Sequence, residues 1–83
     1  MVRDVELLDR IIAIYEYELK ISFITREDGH YYVDRKLDSF ETMQVVVALE
    51  NEFDIEFDSD EMDDEIYRNI ETVLGLVSDK ING

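Results

Sequence analysis

The sequence contains no cysteine and no proline, only three glycines in 83 residues, and only eight basic residues against twenty-two acidic ones. Without cysteine there is no disulfide, no thiolate metal ligand and no cysteine nucleophile, and nothing calls for an oxidising compartment. Without proline, and with glycine confined to positions 29, 75 and 83, the chain has few breaks and reads as helices joined by polar loops. A formal charge of −14 repels nucleic-acid backbones and anionic membranes and favours basic partner surfaces. The opening stretch MVRDVELLDR carries charges throughout and has no uncharged apolar run of the kind a signal peptide or membrane span requires. The expectation is a cytoplasmic protein that binds no nucleic acid and does not insert into a membrane.

What is present is enough for one modest core. The length suits a single domain over residues 1–83, and 46% apolar residues allow folding despite the self-repulsion. From Arg3 to about Leu19, Val5, Leu8, Ile11, Ile12, Tyr15 and Leu19 recur at helical spacing, with Glu6, Asp9, Arg10, Glu16 and Lys20 opposite. Ile21 to Leu37 has no sustained period and holds the turn-like Glu27-Asp28-Gly29-His30, so it reads as a long connection, pinned to the core in part by Tyr31, Tyr32 and Val33. A second helix begins at Asp38 or Ser39, where Asp38 and Glu41 have the spacing of a capping box, and runs to about Phe53. The acidic stretch Asp58 to Glu65 leads into a short helical turn around Asp64 to Tyr67. Asn69 then offers an N-cap for a last helix striped by Ile70, Val73, Leu74, Val77 and Ile81. Three longer helices and one short one predict an all-α fold, a small four-helix bundle.

The second helix carries more apolar residues than one face needs. At about 100° per residue, Val45, Val46, Leu49 and Phe53 form one side, the core face. Phe40, Met43 and Val47 form a second stripe, offset by about another 100°. A helix packed against two others can bury such a wide arc. The alternative is a docking strip rimmed by Glu41, Gln44 and Glu50, suited to a partner groove edged by Lys and Arg.

Among candidate chemistries, Ser39 as a hydrolase nucleophile lacks a base and a glycine elbow, because His30 is the only histidine and sits in a turn-like loop. The plain reading of Ser39 is a helix-start residue. Asp54, Glu56, Asp58, Asp60 and Glu65 match positions 1, 3, 5, 7 and 12 of a calcium loop, but Ser59 stands where that loop needs glycine, and Glu61 and Met62 depart from it as well. In a chain this acidic such matches arise by chance.

The stretch Leu37-Asp38-Ser39-Phe40, followed by Val45-Val46-Val47-Ala48-Leu49-Glu50-Asn51-Glu52-Phe53-Asp54-Ile55-Glu56, resembles the acyl carrier protein family. Asn69 to Val77 is similar to that family's last helix, and the first helix agrees in pattern and position. The resemblance implies that Ser39 is the attachment point of 4′-phosphopantetheine, with Asp38 as the motif partner and helix cap. It implies acyl, aminoacyl or peptidyl groups carried as thioesters on the arm's terminal thiol. It also implies that Phe40, Glu41, Met43, Val47 and Glu50 face partner enzymes: a phosphopantetheinyl transferase, a loading ligase, and a downstream synthase or transferase with basic docking surfaces.

Arg35-Lys36-Leu37 and Phe57 depart from that pattern, since many members have glycine shortly before the Asp-Ser pair and proline after the Ile-Glu. The Leu-Asp-Ser-Phe version resembles D-alanyl and other aminoacyl or peptidyl carriers more than the fatty-acid type. An initiating methionine and a stop just after the last helix suggest a free-standing carrier rather than a module cut from a synthase; the expectation is a monomer that is itself catalytically inert. The competing expectation is an acidic helical interaction or calcium-binding module without a prosthetic group; a third is a family member that has lost its modification and acts as a scaffold.

Overall fold

The first helix forms because Leu7, Ile11 and Tyr15 repeat every fourth residue and so lie one above another on one face. The computed structural model of the protein describes residues 4–83; Arg3, the expected first residue of this helix, lies outside them. Helix α1 runs Asp4–Glu18 and buries Leu7, Ile11 and Tyr15, with Leu19 following just past its end. Leu8 and Ile12 flank that row and are half-buried, as expected. Val5 is not part of the core: it stands two residues, about 200°, from Leu7 and is 70% exposed.

The segment between α1 and the next helix corrects the all-α expectation. Ile21 to Leu37 is not a structureless connection but contains an antiparallel hairpin, β1 (Phe23–Thr25) and β2 (Tyr31–Val33), paired Phe23 to Val33, Ile24 to Tyr32 and Thr25 to Tyr31. Both strands consist of β-branched and aromatic residues, which favour a pleated surface. The turn closes where Gly29 takes φ +83°, its N–H donating to the Arg26 carbonyl. Three-residue strands give too short a period to register as alternation.

Two-stranded hairpins are marginal alone in water, and this one is held by the rest of the chain. Val33 is fully buried, and Phe23 stacks on Tyr31 and meets Tyr15 edge-on. The Arg68 guanidinium donates to the Val33 carbonyl at 3.2 Å, and Tyr32 forms a bridge to Asn69. Tyr31, Tyr32 and Val33 do pin this region, as their composition implied.

Helix α2 (Ser39–Phe53) follows, then a single 3-10 turn at Ser59–Glu61, helix α3 (Asp64–Arg68) and helix α4 (Ile70–Asn82). Asn69 caps α4, its side-chain oxygen accepting from the N–H groups of Glu71 and Thr72. Helix α1 packs on both α2 and α4, while α3 packs on α2 and α4. Val45, Val46 and Leu49 of α2 and Ile70, Val73 and Val77 of α4 complete the core. Lys80 bonds to Glu61 at 2.8 Å and lies over the Phe57 ring, tying the last helix to the 3-10 turn. The described chain is thus mostly helical, with four helices and one small sheet, and no helix is long and apolar enough to cross a membrane.

Two buried hydroxyls, Thr42 Oγ1 and the Tyr67 hydroxyl, have no hydrogen-bond partner among the described residues. Tyr67 is fully buried against Phe57, and burial pushes its hydroxyl pKa well up. A buried hydroxyl without a partner costs its desolvation and returns no bond. Tyr67→Phe is therefore expected to raise the unfolding free energy by about 1 kcal/mol in urea denaturation. A loss of stability would show that the hydroxyl is bonded in solution.

Candidate functional site

Helix α2 starts on a complete capping box. The Asp38 carboxylate accepts from the Glu41 N–H at 2.8 Å, and the Glu41 carboxylate accepts from the Asp38 N–H at 3.2 Å. Asp38 rather than Ser39 is therefore the cap, and Ser39 is the first residue of the helix proper. Its side chain is exposed and its hydroxyl bonds to nothing among the described residues. The N–H groups of Ser39 and Phe40 likewise have no protein acceptor there, since the capping carboxylate takes the Glu41 N–H and the Asp38 carbonyl takes that of Thr42. Free donors and the positive end of a fifteen-residue helix dipole converge beside the Ser39 hydroxyl.

Arg35, just before the capping box, has a defined job. Its guanidinium grips the Glu41 carboxylate in a two-pronged contact, 2.8 Å from Nη1 and 2.6 Å from Nη2. This pair and the Asp38 N–H bond hold the Glu41 pKa below its ordinary value of 4.5, the Arg35 bonds being the larger cause. A depressed glutamate stabilises the fold above its unfolded-state pKa and loses that contribution as pH falls through the folded value. The stability advantage of wild type over Glu41→Gln is accordingly expected to be present at about pH 7 and to shrink as pH falls below the ordinary glutamate range, read from urea midpoints at each pH. A pH-independent difference would mean the pair contributes nothing through charge.

The second stripe is not core. Phe40 is 72% exposed, Met43 50% and Val47 46%, whereas Val45, Val46 and Leu49 on the adjoining face are sealed. One side of α2 offers three apolar side chains to solvent directly beyond Ser39. Of the two acidic residues expected beside this stripe, Glu41 is neutralised by Arg35. Glu50 is committed to the far end of the helix, where its carboxylate accepts from the Phe57 N–H at 3.0 Å and its carbonyl accepts from Asp54 and Ile55. Asp54 itself ends the helix at φ 55°, a left-handed cap.

The other candidate chemistries do not assemble. The His30 ring lies 3.3 Å from the Asn69 side-chain nitrogen and 3.9 Å from an Asp28 oxygen, and Ser39 is not among its partners. Four of the acidic residues from Asp54 to Glu65 have structural roles: Asp54 ends α2, the Asp58 N–H donates to the Glu61 carboxylate at 2.7 Å, Glu61 bonds to Lys80, and Asp63 caps α3. Among the described residues no three carboxylates or imidazoles gather in a way that could hold a metal ion.

No protein-family model, curated protein or solved structure matches this chain.

Sequence reasoning passed over one surface feature of this region. Along the flank of α2 runs an open groove whose other wall is α1, carrying Ile14 and the 85%-exposed Tyr17. The available signal was phase: Ile14 and Tyr17, three residues apart, share a stripe distinct from the Leu7-Ile11-Tyr15 row.

Proposed function

We propose that this protein is an acyl-type carrier of the acyl carrier protein kind, modified at Ser39 with 4′-phosphopantetheine and delivering carried groups to basic-surfaced enzymes. The observation that carries the reading is the division of labour at the start of α2. Asp38 does the capping, so Ser39 is left exposed with its hydroxyl free, beside an apolar stripe that the core does not use.

The residues at this position fit the group. A phosphodiester on Ser39 Oγ would meet the free N–H groups of Ser39 and Phe40 and the positive helix end. Open surface surrounds the serine, so the arm meets no buried obstacle. When bound, the arm supplies a terminal thiol, which a cysteine-free chain otherwise lacks, to hold acyl, aminoacyl or peptidyl groups as thioesters. The chain's own part is to present the hydroxyl and to keep the first turn rigid through Asp38, Glu41 and Arg35. The base that takes the hydroxyl proton, and the metal ion that assists it, belong to the transferase.

Phe40, Met43 and Val47 supply the apolar part of the partner contact, and the charge of −14 supplies long-range attraction for basic surfaces. Because Arg35 neutralises Glu41 and Glu50 is engaged with the following loop, this carrier leans on the apolar stripe more than on those two acids.

The test is mass spectrometry of the protein after incubation with coenzyme A and a promiscuous phosphopantetheinyl transferase. The expected result is one adduct of phosphopantetheine mass on the Ser39 peptide, absent from Ser39→Ala. No adduct, or an adduct that survives that substitution, would sink the reading.

A further inference from the structure

The groove between α1 and α2 consists of two open hollows of 580 and 430 Å³ that run into each other, because Glu18, Ala48 and Asn51 line both. Ala13, Ile14 and Tyr17 form the α1 side of the larger hollow; Phe40, Met43 and Val47 line the smaller one. The lining residues run from Arg10 to Glu18 on α1 and from Phe40 to Glu52 on α2, so at about 1.5 Å per residue the trough is about 12 Å long where both helices wall it and about 18 Å along α2, enough to seat two to three turns of a third helix. Alanine at positions 13 and 48 keeps the floor shallow, which lets another helix axis approach to ordinary packing distance. Tyr17, 85% exposed on the rim, is the kind of rigid aromatic that anchors interfaces.

Charge decides between possible occupants. Arg10, the basic residue lining the trough, is committed to Glu52 at 2.7 Å and to the face of the Phe53 ring. Glu18 lines both hollows and has no ion-pair partner among the described residues. A second copy of the chain, itself of net charge −14, would be repelled, while a helix carrying Lys or Arg along the edges of an apolar face would be attracted.

We propose that the α1–α2 groove takes one basic amphipathic helix of a partner protein, its apolar row lying over Ala13, Ile14 and Ala48 and its cationic edge facing Glu18. This deepens the partner side of the carrier reading but does not rest on modification of Ser39. It extends the contact from the exposed stripe of α2 across to α1.

The experiment uses the Ser39→Ala protein, so that no arm can form. The probe is an 18-residue helical peptide with leucine at i, i+3, i+4 and i+7 spacing and lysine elsewhere, compared with a scrambled peptide of identical composition. Binding is measured by calorimetry and mapped by amide chemical shifts. The amphipathic peptide is expected to bind at least roughly tenfold more tightly than the scramble, with shifts at Ile14, Tyr17 and Ala48. Ala48→Arg and Tyr17→Ser, each with unchanged circular dichroism, should each weaken it by roughly the same factor. No binding, equal binding of both peptides, or shifts confined to Phe40, Met43 and Val47 would overturn the proposal. So would a concentration-dependent dimer in sedimentation with Tyr17 in its interface. Because the arm is absent throughout, failure here is separate from failure of the Ser39 mass-spectrometry test.

Discussion

Leu49→Ala is expected to lower the unfolding free energy by about 2–5 kcal/mol. Leu49 is fully buried on the inner face of α2, in one cluster with residues of α1 and α4, so truncation removes apolar contact and leaves a cavity that helices on both sides would have to close. An 83-residue domain has about 4–12 kcal/mol of stability in all, so this one change takes a large part of it. The informative comparison is Val47→Ala, two residues earlier on the same helix. Val47 is 46% exposed, and its replacement exchanges a β-branched residue for the best helix former, so its effect should stay within about 0.5 kcal/mol. Urea unfolding of the two variants measures both. If Val47→Ala were as damaging as Leu49→Ala, the second stripe would be core in solution and the docking-strip argument would fail.

Asn69→Ala is expected to cost about 2–3 kcal/mol, more than the loss of a helix cap alone. Its side-chain oxygen accepts from Glu71 and Thr72 at 3.0 and 3.2 Å, which starts α4. Its side-chain nitrogen donates to the Tyr32 hydroxyl at 3.3 Å and lies 3.3 Å from the His30 ring nitrogen, which ties the hairpin to the helix. One residue thus serves two elements that meet only in the folded chain. Asn69→Asp keeps the capping oxygen and adds a charge that the helix N-terminus favours, but removes the donor to the hairpin. It should recover roughly the cap portion of the loss, while amide exchange at Ile24 and Tyr32 stays faster than in wild type. If Asn69→Asp restored both stability and hairpin protection, the link to Tyr32 and His30 would be energetically idle.

The features legible in the sequence share one property: each depends on residues close together in the chain. The α4 stripe of Ile70, Val73 and Val77, the cap at Asn69, the Asp38–Glu41 box and the separation of Val45, Val46 and Leu49 from Phe40, Met43 and Val47 all follow from helical period and capping chemistry. The structure departs from these patterns where local periodicity runs out. Val5 shares the helical spacing of Leu8 and Ile12, yet it stands in the first turn of α1 and is 70% exposed while they are half-buried. The hairpin reads as a connection in the sequence because strands of three residues leave almost no periodic signal, and much of what holds it, the burial of Val33 and the bonds to Arg68 and Asn69, thirty-five and thirty-seven residues from their partners, lies elsewhere in the chain.

By itself, therefore, the sequence determined the mostly helical character, the caps of α2 and α4 and the acidic surface. Only the tertiary structure decided which apolar residues of α2 remain uncovered, because that depends on where α1, α3 and α4 end rather than on α2 itself. It alone also brought Arg35 onto Glu41 and Asn69 onto Tyr32, and opened the groove between α1 and α2. Contacts between distant segments leave no periodic trace in the chain, since the packing that creates them exists only once the helices have met.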